Sequence, residues 1–241
     1  MLEHKKVIIF DLDGTLIDSI GIWNQIDKEL IELIGNKPLS DDIDIGIQRD
    51  EKLKEFSKSE DMYLEYCGFL KEKYNSNMSK QEIKKMRYEI ADNYLKNKID
   101  YKPNAEKFLK FLKGKGFKLV IASTTNDHTI EIYKNENKNI KSKADFNEMF
   151  DLIYSKGAVR NLKPNPEIHI KVMNDLNVKS EECFIFEDSL IGVEAANAAG
   201  IDVAVMYDKY SDGNREEINK RVKYKFNNFN ELLNSVKMEN F

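Results

Sequence analysis

The sequence predicts an α/β protein, a doubly wound parallel-sheet core with an all-helical domain inserted into it. Three observations lead there. First, short apolar runs recur at VIIF (7–10), KLVIAS (118–123), DLIYS (151–155), ECFIFED (182–188) and DVAVM (202–206), with VKYKF (222–226) as a sixth. Runs that are apolar throughout, rather than alternating, mark strands buried on both faces. Second, helical patterns separate the later runs, and strands alternating with helices imply parallel βαβ units. Third, residues 20–97 show no strand-like alternation. The core is therefore expected from residues 1–17 and 99–241, and the helical insertion from 18–98.

The elements follow in order. After the first strand, Ser19 is placed to cap a helix whose Ile22, Ile26, Leu30 and Leu33 recur at helical spacing until Gly35 closes it. SKSE (57–60) and SKQE (79–82) both have the form of a capping box, a hydroxyl followed three residues later by Glu. They predict helices near 60–74 and 80–97. After Pro103, NAEKFLKFLK (104–113) reads as a helix ended by Gly114 and Gly116, and it leads into the second strand. Small residues in GVEAANAAG (192–200) suit a helix lying close on the sheet, and residues 207–221 read as a surface loop running into a helix.

Composition sets limits on function. The 241 residues are 41% hydrophobic and 33% charged, with a net charge of −4. Basic and acidic residues interleave, as on a solvated surface, so neither a nucleic-acid nor a membrane partner is expected. The apolar run near the start is too short for a signal peptide or a membrane span, and a cytoplasmic location is expected. Cys67 and Cys183 lie far apart without metal-ligand spacing and read as buried thiols. Nothing in the sequence requires an oligomer.

Ligands of open α/β sheets bind beyond the carboxyl ends of the strands. Strand one ends in Asp11 and Asp13, whose side chains would point the same way in an extended segment and repel. The next strand ends in Ser123, Thr124, Thr125 and Asn126; Lys163 follows the third after a loop; Glu187, Asp188 and Ser189 end the fourth. Four polar sets thus converge on one edge.

These segments, DLDGT (11–15), the strand-terminal serine of VIAS (120–123), Lys163 in KPNP (163–166) and FEDS (186–189), resemble the haloacid dehalogenase superfamily. The resemblance covers residues 5–18 and about 100–208. It implies a Rossmann-like core with a helical cap of the class found in β-phosphoglucomutase and phosphoglycolate phosphatase.

The chemistry suits phosphate esters, whose hydrolysis needs a barrier reduction of about 20 kcal/mol or more. Asp11 is the candidate nucleophile, forming an aspartyl-phosphate. Asp13 is the candidate proton carrier, first acid and then base. Lys163 and Ser123 would bind the phosphoryl oxygens. Mg²⁺ on Asp11 and Asp188 would relieve their repulsion. The resemblance adds the Asp13 backbone carbonyl to the metal ligands, and Glu187 is expected to orient the metal's water shell. Thr124 and Arg49 are the further substrate-binding candidates. Thr125 and Asn126 are weaker ones for the distal end of the substrate, with helix capping as their plainer role.

The expected activity is a Mg²⁺-dependent phosphatase acting on a small phosphorylated metabolite such as a sugar phosphate, with a β-phosphoglucomutase-like phosphomutase as alternative. Trp23 stands where those mutases carry His, whereas Arg49 in IGIQRDEKL resembles their substrate-gripping loop; Leu162 stands where Gly commonly precedes the motif lysine. Trp23 is read as packing, and His4, His128 and His169 as surface or packing residues. A phospho-acceptor signalling module shares an aspartate, a hydroxyl and a lysine at strand ends. Such modules are about half this length, and they lack both the insertion and a second acid two residues on.

Overall fold

The computed structural model describes residues 1–36, 38 and 45–238. Among them, one sheet contains β1 (Val7–Phe10), β2 (Lys118–Ala122), β3 (Leu152–Tyr154), β4 (Cys183–Glu187), β5 (Asp202–Met206) and β6 (Tyr224–Phe226). The first helices are α1 (Ile22–Gly35), α2 (Ile45–Glu55), α3 (Met62–Lys73) and α4 (Lys80–Asn97). Then come α5 (Ala105–Gly114), α6 (Asp127–Asn135), α7 (Lys138–Ala144), α8 (Phe146–Met149), α9 (Glu167–Leu176), α10 (Leu190–Ala198), α11 (Arg215–Arg221) and α12 (Phe229–Met238). The chain divides into two compact units, Met1–Ile20 with Ile99–Phe241, and Gly21–Lys98.

The strand order is β3-β2-β1-β4-β5-β6, every pair parallel. Connectivity runs outward from β1 to β3, then returns to β4 on the other flank of β1. The order reverses there, and open α/β sheets bind ligands beyond the strand ends at such a switch point. This is the doubly wound sheet the apolar runs imply.

Every residue of β1 is buried, and alternate side chains serve opposite layers. Val7 and Ile9 join Val120, Ala122, Cys183, Ile185 and Val193 on one face. On the other, Phe10 stacks on its register partner Phe186 at 5.2 Å and 14°, and Phe108 of α5 meets Phe186 edge-on at 5.2 Å. Each fully buried ring contributes about 1.5–3 kcal/mol. Phe10 and Phe186 immediately precede Asp11 and Glu187, so ring packing sets the height at which both acids leave the sheet.

The helical unit departs from expectation in detail. Helix α1 starts at Ile22 with Gly21 at its N-cap, and Ser19 does not cap it. Its buried stripe is Ile22, Ile26, Asp27, Leu30, Ile31 and Ile34, while Leu33 is 51% exposed. A series with i+4 steps reaches Ile34, and Leu33 falls on the flank. Asn36, not Gly35, takes the left-handed closing position (φ 51°). Asp61 caps α3 by accepting from the Leu64 amide at 3.0 Å, so SKSE is not the helix start. Ser57 instead lies in the turn after α2, its amide bonded to the Lys54 carbonyl. Ser79 and Glu82 do form the capping box of α4.

Within this unit Asp27 is fully buried, accepting from Arg87 Nε at 2.7 Å and Arg49 Nη1 at 3.1 Å. The Arg87 guanidinium lies 5.7 Å from the Trp23 ring centre and 5.0 Å from that of Tyr63, a packing role for Trp23.

Candidate active site

Asp11, at the end of β1, is held by its backbone N–H to the Phe186 carbonyl at 2.9 Å. Its Oδ1 accepts from Lys163 Nζ at 2.6 Å, and Lys163 reaches Glu187 Oε1 at the same distance. Lys163 and Glu187 are essentially inaccessible, with 2% and 0% of their side chains exposed. The other Glu187 oxygen accepts from the backbone of Asp188 and from the Ser189 hydroxyl, both at 3.1 Å. Asp188 completes the set, with ligand atoms of Asp11, Glu187 and Asp188 within 4.8 Å of one another.

Three buried carboxylates face one ammonium, two negative charges in excess when all are ionised. Burial pushes the Asp11 carboxyl well above its usual range; Lys163 opposes this, and the charges of Glu187 and Asp188 add to it. Burial and Glu187 push Asp188 up to about 7, against the hydrogen bond from Thr15. Burial alone would lower Lys163, but Asp11 and Glu187 outweigh it and hold it raised. The cluster is short of positive charge, and its donors are hard oxygens, the ligand type of a divalent cation such as Mg²⁺.

Two glycines make this cluster possible. Gly14 has φ +86°, and a Cβ there would lie 2.6 Å from Asp188 Oδ2. At Gly192 a Cβ would fall 1.9 Å from the Glu187 carboxylate carbon. Close approach of α10 to β4 therefore requires glycine.

Asp13 faces elsewhere. Ser19 Oγ donates to Asp13 Oδ1, Thr125 Oγ1 to Oδ2, and Tyr133 Oη lies 3.5 Å from Oδ1. Thr125 Oγ1 is also 2.9 Å from Ser123 Oγ. Ser19 thus serves the acid rather than a helix end.

The structure brings Asp11, Lys163, Glu187 and Asp188 into one cluster and links Asp13 to Ser123 through Thr125. Thr124 is half-buried between Ser123 and Thr125. Asn126 caps α6, accepting from the Thr129 amide at 2.9 Å. Arg49 lies in the helical unit, engaged with Asp27, Asn24 and Asp50. Burial, with the nearby Lys163 charge, lowers His169 to about 3, so it is a neutral packing residue.

Some partners were not foreseen from the sequence. Thr15 Oγ1 donates to Asp188 Oδ1 at 2.8 Å, and Ser211 Oγ lies 3.4 Å from Oδ2. Buried Asp208 pairs with Lys102 at 2.7 Å, and Arg215 donates to the Asp208 carbonyl at 2.8 Å. The signal was available for Asp208 alone: it follows β5 by two residues, a strand-end acid like the others.

A parallel sheet with an acid–lysine–acid cluster beyond its switch point and a helical unit after the first strand defines a class of α/β hydrolase with an inserted domain. The chain belongs to the haloacid dehalogenase-like hydrolase family, which matches residues 8–206, as the four quoted segments predict. It is 29% identical over 201 residues to the phosphorylated carbohydrates phosphatase of Thermotoga maritima, covering 82% of each chain. It is 28% identical over 238 residues to the phosphoglycolate phosphatase of Colwellia psychrerythraea, covering 98% and 99%. A solved Thermotoga maritima structure, provisionally assigned as a beta-phosphoglucomutase, superposes with TM-score 0.74 at 27% identity, covering 97% and 99%.

Proposed function

We propose that this enzyme is a Mg²⁺-dependent phosphatase of small phosphorylated metabolites, sugar phosphates among them, working through an aspartyl-phosphate on Asp11. The observation that carries the reading is the buried cluster of Asp11, Lys163, Glu187 and Asp188, with a second acid, Asp13, two residues after the first. Relatives named as phosphatases of phosphorylated carbohydrates and of phosphoglycolate support the substrate class.

Asp11 attacks phosphorus with the oxygen that Lys163 leaves free. The bond from phosphorus to the ester oxygen breaks, its electron pair stays on that oxygen, and Asp13 supplies the proton. Water then attacks phosphorus and gives a proton to Asp13 as the bond to Asp11 breaks, releasing phosphate and restoring both acids. Lys163 and the Ser123 hydroxyl stabilise the phosphoryl oxygens, and Thr124 borders them. Mg²⁺, held by Asp11, Asp188 and the Asp13 carbonyl, would supply the positive charge that the cluster lacks. Glu187, with both oxygens already engaged, would orient its water.

Residues 18–98 would form the cap, and Arg49 is its candidate for binding a substrate anion. No helix among the described residues is long and apolar enough to cross a membrane, and Cys67 and Cys183 are buried, unpaired thiols. The unpaired thiols suit a reducing compartment and support a cytoplasmic enzyme.

The phosphomutase is the second reading, favoured by the structural likeness above. One experiment separates the two: a panel of phosphorylated metabolites with Mg²⁺, measuring both liberated phosphate and isomerised product. Net phosphate release lost in Asp11→Asn supports the phosphatase. Isomerisation of β-glucose 1-phosphate without release selects the mutase. Equal low rates for wild type and Asp11→Asn across the panel reject both.

A further inference from the structure

We propose that Thr125 and Tyr133 are positioning residues for proton transfer, holding the Asp13 carboxyl in the orientation from which it serves the ester oxygen. This rests on the reading of Asp13 as proton carrier. Hydroxyls from three segments converge on its two oxygens: Ser19 and Tyr133 on Oδ1, Thr125 on Oδ2. Partners on both oxygens fix the plane of the carboxyl group, which a single partner leaves free to turn about its terminal torsion.

The holders are themselves rigid. Tyr133 is 1% exposed on α6, and its ring meets Phe146 edge-on at 6.5 Å. A phenol so enclosed needs a hydrogen-bond acceptor, and Asp13 supplies one. Thr125 is pinned at both ends of its backbone: its N–H donates to Ser123 Oγ at 3.1 Å, and its carbonyl accepts from Lys156 N–H at 2.8 Å. With Thr125 Oγ1 also 2.9 Å from Ser123 Oγ, the proton carrier and the hydroxyl proposed to touch the phosphoryl group are mechanically joined. A bound ester would thus meet both in one register, and misplacement of about 1 Å costs about 10²-fold in rate.

The test uses Tyr133→Phe and Thr125→Val, each removing one hydroxyl with little change of shape, in the full chain with Mg²⁺. Phenyl and p-nitrophenyl phosphate serve as probes of similar size. Departing phenolate needs a proton; p-nitrophenolate, a far better leaving group, needs it much less. Each variant should lose about tenfold in kcat/KM on phenyl phosphate and several times less on p-nitrophenyl phosphate. In an Asp13→Asn background Tyr133→Phe should add nothing. A merely structural role predicts equal losses on both esters.

Equal losses, or no loss on either ester, with Asp11→Asn inactive, overturn the positioning roles and leave the phosphatase reading standing. A wild type inactive on the metabolite panel and on both aryl esters overturns the phosphatase reading and this proposal together. Should Tyr133→Phe fail to fold by thermal melt, Thr125→Val alone decides.

Discussion

Replacing Lys163 by methionine keeps the volume of the side chain and removes the charge between Asp11 and Glu187. At 2.6 Å from each carboxylate, and with an effective dielectric of about 20, each contact is worth about 6 kcal/mol before desolvation is counted. Most of that is offset by the cost of burying an ammonium that is 2% exposed. What remains in the variant is the worse problem, two buried carboxylates with no counter-charge. Removing one partner of a buried ion pair costs about 3–5 kcal/mol, and that is the stability loss expected for Lys163→Met in chelator, read by urea denaturation. Adding Mg²⁺ should recover part of the loss, because a divalent ion supplies charge to the same acids. Turnover should stay down by about 10²-fold or more, since the phosphoryl oxygens lose a partner. A variant within about 1 kcal/mol of wild type in chelator refutes the reasoning.

Three further outcomes follow. Gly192→Ala in α10 should destabilise by about 1–3 kcal/mol, although alanine normally gains about 1 kcal/mol over glycine in a helix, because its Cβ would overlap the Glu187 carboxylate; a raised melting temperature contradicts this. Asp27→Ala should cost about 3–5 kcal/mol, leaving the buried Arg87 guanidinium without its carboxylate while Arg49 keeps Asp50; denaturation close to that of wild type would count against the buried pairing. In chelator, the folded protein keeps the Asp188 proton up to about 7, whereas an unperturbed carboxyl gives it up near 3.8. Between those values the unfolded chain holds fewer protons, so stability should fall by a few kcal/mol as pH rises through the window and level off above it. Saturating Mg²⁺ should flatten that slope, and a slope unaffected by the metal would sever the link between Asp188 and the ion.

The fold was legible because its strands are apolar on both faces, and a buried parallel sheet leaves that plain trace in VIIF, KLVIA and CFIFE. Site residues at strand ends were legible for the same reason: once the strands are placed, topology puts Asp11, Ser123 and Glu187–Asp188 on one edge. Lys163 was legible less directly, as a lysine following the third strand, since it sits in a loop whose path no periodicity records. Ser19 was misread as a cap because the local pattern of a hydroxyl before a helix is the same whether its partner is an amide or Asp13. Tyr133 carried no signal, being one aromatic among buried positions of α6. Its hydroxyl meets Asp13 only through the packing of α6, 120 residues on in sequence. Asp61 displaced Ser57 as the cap of α3 because it stands immediately before the helix. Residues 207–221 hid Ser211, whose bond to Asp188 spans distant segments.

The proposed catalysis turns on covalent phosphorylation of Asp11, and trapping that ester tests it most directly. Enzyme quenched in acid during turnover, reduced with borohydride and mapped by mass spectrometry should show Asp11 converted to homoserine, with no conversion in Asp11→Asn. Turnover that releases phosphate while Asp11 stays unreduced, or reduction at another carboxylate, would contradict it.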